Sequence, residues 1–141
     1  MWYSGKKKRH TIKTQIIADA DTQEIICTAQ EKGAVHDFNL FKATVRGIIL
    51  GIVLLADSGY QGLLGLHKNS CIPYKKSKNT PLSKEQKWFN RELSSERIVI
   101  ENIHARIKAF KIMSERYRNR RKRHLLRMNL ICGLLNQELR V

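Results

Sequence analysis

Residues 52–62, Ile-Val-Leu-Leu-Ala-Asp-Ser-Gly-Tyr-Gln-Gly, decide the fold class, because a continuous apolar run ends there in a polar turn. An apolar run such as Ile52 to Ala56, closed by turn residues, is typical of a strand buried in a mixed sheet. Asp57 then stands at the end of the strand, where α/β folds present functional groups to solvent. An aspartate before Ser-Gly is also a common turn former, so both interpretations stay open.

Upstream of this stretch the pattern predicts a β-hairpin and a short helix. Residues 12–18 are a β-branched run with partial alternation, residues 19–22 supply turn formers, and residues 24–29 return as a second strand. The segment 36–41, HDFNLF, favours a short helix with Asp37 near its N-cap.

Downstream of residue 62 helices dominate. The leucines of residues 63–66 suit a short helix, and residues 71–74 an edge strand. Ser83 is expected to cap a helix that opens Lys-Glu-Gln. Ser94 or Ser95 is expected to begin the best helix of the chain, whose apolar stripe comprises Val99, Ile100, Ile103, Ile107 and Phe110. A last helix over residues 124–139 is apolar on most faces and is expected to be largely buried. The prediction is a mixed α/β fold with a helix-rich C-terminal half, in a single domain over residues 1–141.

The charge of the chain is its strongest bulk signal. It has 27 Lys and Arg against 12 Asp and Glu, a formal net charge of +15 and a pI near 10.1. Such a charge indicates a polyanionic partner, and nucleic acid is the usual one. A ribosomal or other RNA-binding protein would carry the same signal. No apolar run approaches the roughly 20 residues of a membrane span. The N-terminus does not resemble a signal peptide, and three widely spaced cysteines indicate reduced side chains in a cytosolic protein.

Glu101 lies on the predicted helix with the apolar stripe, but on its opposite face. Counting 100° per residue, it shares that face with Arg97, His104 and Lys108. In the functional interpretation, Glu101 is a carboxylate whose cationic neighbours hold phosphates on either side of it. A solvated, salt-bridged face is the ordinary alternative.

The motif Asp57-Ser58-Gly59-Tyr60-Gln61-Gly62, followed by Arg97-x3-Glu101-x6-Lys108, resembles the DDE transposase superfamily, above all insertion-sequence transposases of the Harbinger-like kind. Three further segments resemble these proteins in the same order: YSGKKKRHT at 3–11, HDFNLF at 36–41 and YRNRRKR at 117–123. The resemblance covers nearly the whole chain. It implies an RNase H-like mixed sheet with flanking helices.

The resemblance also implies a metal-dependent DNA cleavage and strand-transfer site. Asp57 and Glu101 would be catalytic and would hold Mg²⁺ or Mn²⁺, two ions in a complete site, with Arg97 and Lys108 supporting the DNA phosphates. Two metals roughly 3.5–4 Å apart neutralise the attacking and leaving oxygens together. Hard cations of this kind prefer carboxylate oxygens.

The first catalytic aspartate of the family precedes the hairpin, and only Met1 and Trp2 come before the matching Tyr3. The resemblance therefore implies a truncated transposase that lacks its N-terminal strand and is inactive alone. Asp37 is the most tempting substitute, but the resemblance gives that segment another role. A non-catalytic DNA-binding remnant is the alternative function.

DNA is the expected partner, bound mostly without sequence preference, and a second copy or an intact transposase is a further candidate. Neither a membrane nor a small-molecule substrate is expected, and the expected location is the cytoplasm at the nucleoid. Phosphate contacts are expected from the basic clusters, with Tyr74 and Tyr117 available for stacking. The cluster residues are Lys6, Lys7, Lys8, Arg9, Lys75, Lys76, Arg118, Arg120, Arg121, Lys122 and Arg123.

Overall fold

A computed structural model of the chain describes residues 3–4, 9–44, 51–77, 81–117 and 121–140. The elements, in chain order, are β1 (Tyr3–Ser4), β2 (Arg9–His10), β3 (Ile12–Ala18), β4 (Ile25–Lys32), α1 (Asp37–Thr44), β5 (Leu54–Leu55), β6 (Ser70–Cys71), α2 (Lys84–Glu96), α3 (Ile98–Ala109), α4 (Lys111–Ser114) and α5 (His124–Glu138). Short 3₁₀ helices span Ser58–Tyr60, Leu63–Gly65 and Arg121–Arg123. The mixed α/β class with a helix-rich C-terminal half is confirmed. Among the described residues, no helix is both long and apolar enough to cross a bilayer.

The chain divides into two compact units, residues 1–34 with 99–141 and residues 35–98. The single domain expected over residues 1–141 stays a prediction.

The first unit contains the predicted hairpin. β3 and β4 pair antiparallel, from Ile12 opposite Lys32 to Ile17 opposite Cys27. Asp19 forms the turn, because its Oδ1 accepts the backbone N–H groups of Asp21 at 2.9 Å and Thr22 at 2.7 Å. Because the ionised carboxylate accepts hydrogen bonds better than the neutral acid, the bonds from Thr22 and then from Asp21 lower the pKa of Asp19. The hairpin prediction is confirmed.

The core of the first unit lies between the hairpin and the C-terminal helices. It comprises Ile25, Ile103, Ile107, Met128, Ile131, Cys132 and Leu135. Asn136 of α5 joins helix to hairpin, because its side-chain amide accepts the N–H of Ile25 and donates to the C=O of Ile25, both at 2.9 Å. Ile103 and Ile107 come from the predicted apolar stripe, whereas Phe110 lies beyond α3 and is 37% exposed.

Two predictions about the C-terminal helices are wrong. Ser94 and Ser95 do not begin a helix but lie in the last turns of α2, which Ser83 starts with a capping box to Gln86. Good helix formers after that cap carry α2 through the serines to Glu96. The last helix is not buried on most faces: it packs one side on the core and leaves Leu126, Leu130 and Leu134 between 58% and 61% exposed.

The second unit holds α1, α2 and a short parallel pair, β5 with β6. The apolar run at 52–56 ends in a strand, as predicted, but the strand is only Leu54–Leu55 and it is not buried. Ile52 is 46% and Val53 61% exposed. Within the described residues β5 has a hydrogen-bonded neighbour on one edge only, so the pair is a two-stranded sheet of two residues each.

Candidate functional site

Asp57 follows β5 by two residues and is anchored by backbone bonds on both sides. The N–H of Ala56 donates to the C=O of Cys71 at 3.0 Å, which ties the motif to β6. The Asp57 side chain then caps the 3₁₀ helix 58–60, because its Oδ1 accepts the N–H of Gly59 at 2.5 Å. One carboxylate oxygen is thereby oriented by the backbone while the side chain stays exposed to solvent. The two interpretations of Asp57, turn former and presented carboxylate, describe the same geometry.

Gly59 separates the carboxylates of Asp57 and Asp37. A Cβ on Gly59 would stand 2.9 Å from Asp57 Oδ1 and 3.2 Å from Asp37 Oδ2, so both acidic groups approach the bare glycine. Burial, followed by the charges of Asp37 and Asp57, raises the pKa of Tyr60 to about 12. The Tyr60 hydroxyl therefore stays neutral beside the two carboxylates at physiological pH.

The motif at 57–62 packs against α1. Tyr60 meets the buried ring of Phe41 edge to face, with ring centroids 6.0 Å apart. Gly62 has a φ of +102°, and a Cβ there would stand 3.1 Å from Cε1 of Phe38, so glycine is required both for the backbone and for space. The two motifs at residues 36–41 and 57–62, which the sequence analysis identified separately, pack against each other. The predicted helix after His36 is confirmed and packs against the motif at 57–62, and the carboxylates of Asp37 and Asp57 both lie close to Gly59.

Glu101 lies in the first turn of α3 and is exposed. Lys108 follows two turns later on the same face, and His104 between them is partly buried. Burial and then the charge of Lys108 lower the pKa of His104, which favours its neutral form. The described ion pairs, Arg106–Glu138 and Arg140–Glu24, do not include Glu101.

Arg97 departs from the predicted arrangement, because it is not a residue of the Glu101 helix. It caps the C-terminal end of α2, and its N–H donates to the C=O of Leu93 at 3.2 Å. α3 begins only at Ile98. The four residues expected on one helix face are thus divided, with Glu101, His104 and Lys108 on α3 and Arg97 at the end of the preceding helix.

The carboxylates form no complete metal site by themselves. Within the part of the chain that the structure describes, no group of three or more His, Cys, Asp and Glu side chains converges. Asp57 belongs to the unit of residues 35–98, and Glu101 belongs to the unit of residues 1–34 and 99–141.

The basic residues are described in part. Lys75 and Lys76 are exposed beside Tyr74, and Lys122 and Arg123 are exposed where α5 begins. Tyr117 is half-buried, with its ring edge to face against His124 at a centroid distance of 4.8 Å and its hydroxyl accepting a hydrogen bond from Arg127. Its stacking on DNA stays a prediction. Lys6, Lys7, Lys8, Arg118 and Arg120 lie outside the described residues, and so do the side chains of Arg9 and Arg121.

Comparison with known proteins accounts for the motifs. A family model described as "Transposase DDE domain" matches residues 2–136. The chain belongs to this family. A curated relative, the "Probable transposase for insertion sequence element IS702" of Microchaete diplosiphon, is 47% identical over 138 residues. That alignment covers 98% of this chain and 50% of the relative, so the chain spans about half the length of the relative. No solved structure matches this chain.

Membership of the DDE transposase family confirms the resemblance seen in the motifs and leaves the ribosomal or RNA-binding alternative without support. The narrower likeness to Harbinger-like proteins stays a prediction. For this transposase domain, the family match covers both the turn that presents Asp57 and the helix that carries Glu101.

Proposed function

We propose that this domain contributes Asp57 and Glu101 as metal-holding, catalytic carboxylates to the DNA cleavage and strand-transfer site of an insertion-sequence transposase. The observation that carries the proposal is the Asp57 turn. A carboxylate exposed at a strand end, with one oxygen fixed by the Gly59 N–H, presents its remaining lone pairs in a defined direction. Membership of the DDE family supports the interpretation of that turn as a metal-holding one.

The donor set suits a hard divalent cation. Asp57 and Glu101 both offer exposed carboxylate oxygens, the ligands that Mg²⁺ and Mn²⁺ prefer. When bound, two such ions would activate the attacking hydroxyl or water and stabilise the leaving oxygen. The chain's own part is to hold the carboxylates. Arg97 and Lys108 would neutralise phosphates on either side of them.

We propose that the site is built on an RNase H-like sheet and needs a third carboxylate, and in the described part of the chain no group of three His, Cys, Asp and Glu side chains converges. Asp37 lies close to Gly59 of the same turn and is not proposed as that third ligand. The chain alone is then expected to show no Mg²⁺-dependent nicking of DNA. Clear nicking that Asp57→Ala abolishes would show that the third ligand has been misassigned.

DNA would be held by the exposed basic clusters, without sequence preference, at the nucleoid. Each phosphate neutralised releases condensed counterions, so the affinity should fall steeply with salt. Replacing Lys75 and Lys76 by alanine should lower the slope of log affinity against log salt by about 1 for each phosphate that is no longer neutralised. Lys111→Ala, at an exposed lysine outside the clusters, is the matched control. A slope that is flat in the unaltered chain would refute electrostatic binding.

A further inference from the structure

An open groove in the unit of residues 35–98 lies apart from the carboxylate motif in sequence and has no part in the proposed cleavage. It has a volume of about 690 Å³ and lies between Tyr74 and the N-terminal half of α2. Its walls are aromatic, from Tyr74, Trp88 and Phe89. The volume lies within the range of roughly 300–1,000 Å³ that is typical of ligand pockets in proteins.

The groove is built on fixed elements. Asn90 holds Tyr74 to α2, because its side-chain amide accepts the Tyr74 N–H at 2.8 Å and donates to the Tyr74 C=O at 3.0 Å. The Tyr74 and Phe89 rings meet edge to face with centroids 5.4 Å apart. The capping box of Ser83 and Gln86 fixes the start of α2, the helix that carries Trp88 and Phe89.

The aromatic surface is left open to solvent. Trp88 is 65% exposed and Tyr74 is 51% exposed, although their rings carry large apolar areas that proteins ordinarily cover. Tyr74 and Trp88 border the same groove.

Positive charge surrounds these rings. Lys84 lines the groove one helical turn before Trp88, and Lys75, Lys76 and Lys87 are exposed beside the aromatic residues in sequence. Glu85 is the one acidic residue among the groove's lining residues in the described part of the chain. A ligand that is flat and apolar at its centre but anionic at its ends matches this combination.

We propose that the groove binds an unstacked base of single-stranded DNA, with the base against Trp88 and Tyr74 and the flanking phosphates on Lys84 and its neighbouring lysines. The proposal rests on the proposed function for the identity of the polymer. It is independent of Asp57, Glu101 and any metal. Stacking on aromatic side chains with a basic track beside them is a physically sufficient basis for binding a single strand without sequence preference.

The test is the fluorescence of Trp88 in the full chain carrying Trp2→Phe, which leaves one tryptophan. A thymidine oligonucleotide of about ten nucleotides is titrated in EDTA at low salt. The expected result is saturable quenching. An abasic oligonucleotide with the same phosphates should bind more weakly and quench little. Equal quenching by the abasic oligonucleotide, or by a polyglutamate peptide, would overturn the proposal, because anionic charge alone would then account for the response.

Variants measured by fluorescence anisotropy of a labelled oligonucleotide complete the test. Trp88→Ala should weaken binding of the thymidine strand roughly 5- to 150-fold, the range expected when one base stack is removed, whereas Trp88→Tyr should recover much of the loss. The control is Leu134→Ala, which removes a comparably exposed apolar side chain from α5. Unchanged affinity in Trp88→Ala would refute the site. Because binding is measured in EDTA and involves no cleavage, failure of this proposal and failure of the cleavage proposal are distinguishable.

Discussion

Replacing Asn136 by alanine should destabilise the unit of residues 1–34 and 99–141 more than any exposed polar substitution. Asn136 satisfies both backbone groups of Ile25, and Ile25 is a core residue that is only 8% exposed. The substitution leaves a donor and an acceptor without a partner where water enters poorly. At about 1–3 kcal/mol for each such group, the free energy of unfolding should fall by about 2–4 kcal/mol, since the site is partly rather than fully buried.

Asn90 supplies a matched control, because it makes the same pair of bonds to Tyr74 at an exposed position. Water can replace it there, so Asn90→Ala should cost about 1 kcal/mol or less. Urea unfolding followed by circular dichroism measures both losses. Hydrogen exchange adds a local readout, because the Ile25 amide should lose protection in Asn136→Ala and keep it in Asn90→Ala. Equal losses in the two variants, or an Ile25 amide that stays protected in Asn136→Ala, would refute the reasoning.

Three further predictions concern stability. Gly62→Ala should destabilise the protein by about 1–2 kcal/mol, because the backbone at Gly62 is left-handed. Gly133→Ala should stabilise it by nearly as much, because Gly133 lies in α5 with open space around it. Thermal unfolding that ranks the two variants the other way would contradict the structure. Ile131→Ala should lower the free energy of unfolding by about 2–5 kcal/mol, because Ile131 is buried in the core. Leu130→Gln should lower it by less than about 0.5 kcal/mol, because Leu130 is exposed. Comparable urea midpoints for the two variants would show that the leucine face of α5 is packed. Burial and then the charge of Arg127 lower the pKa of His124 below its ordinary 6.5, so folding favours the neutral ring. The stability that this provides is present above pH 6.5 and is lost as the pH falls below 6.5. His124→Gln should therefore flatten the loss of stability in acid, and an unaltered pH profile of stability would exclude His124 as the cause.

Local patterns were enough to predict the hairpin and the shorter helices. Alternation with turn residues at Asp19 predicted β3 and β4, and the Ser83 capping box predicted where α2 begins. The end of α2 was not predictable in the same way, because Ser94 can cap a new helix or continue an old one, and the upstream helix decides between them. Burial of Ile52, Val53 and the α5 leucines depends on which neighbours cover them, and hydrophobicity alone does not carry that information.

The candidate site shows the same division. The roles of Asp57 and Glu101 are predictions from the resemblance to the family, and the structure adds how the backbone orients Asp57. Proximity of Asp37 to Asp57 required the packing of α1 on the motif, which no local pattern reports. The groove around Trp88 was missed, because a lone tryptophan among charged residues gives no periodic signal. The one sequence feature that pointed to the groove was Tyr74, which stands beside Lys75 and Lys76.

The most direct test of the metal-ligand assignment is strand cleavage by a chimaera in which this chain replaces the segment that it matches in the IS702 relative. With Mg²⁺ or Mn²⁺ and DNA carrying the ends of that element, the chimaera should cleave, and Asp57→Asn or Glu101→Gln should each abolish cleavage. Asp21→Asn and Glu115→Gln, at exposed acidic residues outside the motifs, should leave it unchanged. Cleavage that survives loss of either Asp57 or Glu101 in the active chimaera would contradict their assignment as the metal-holding carboxylates.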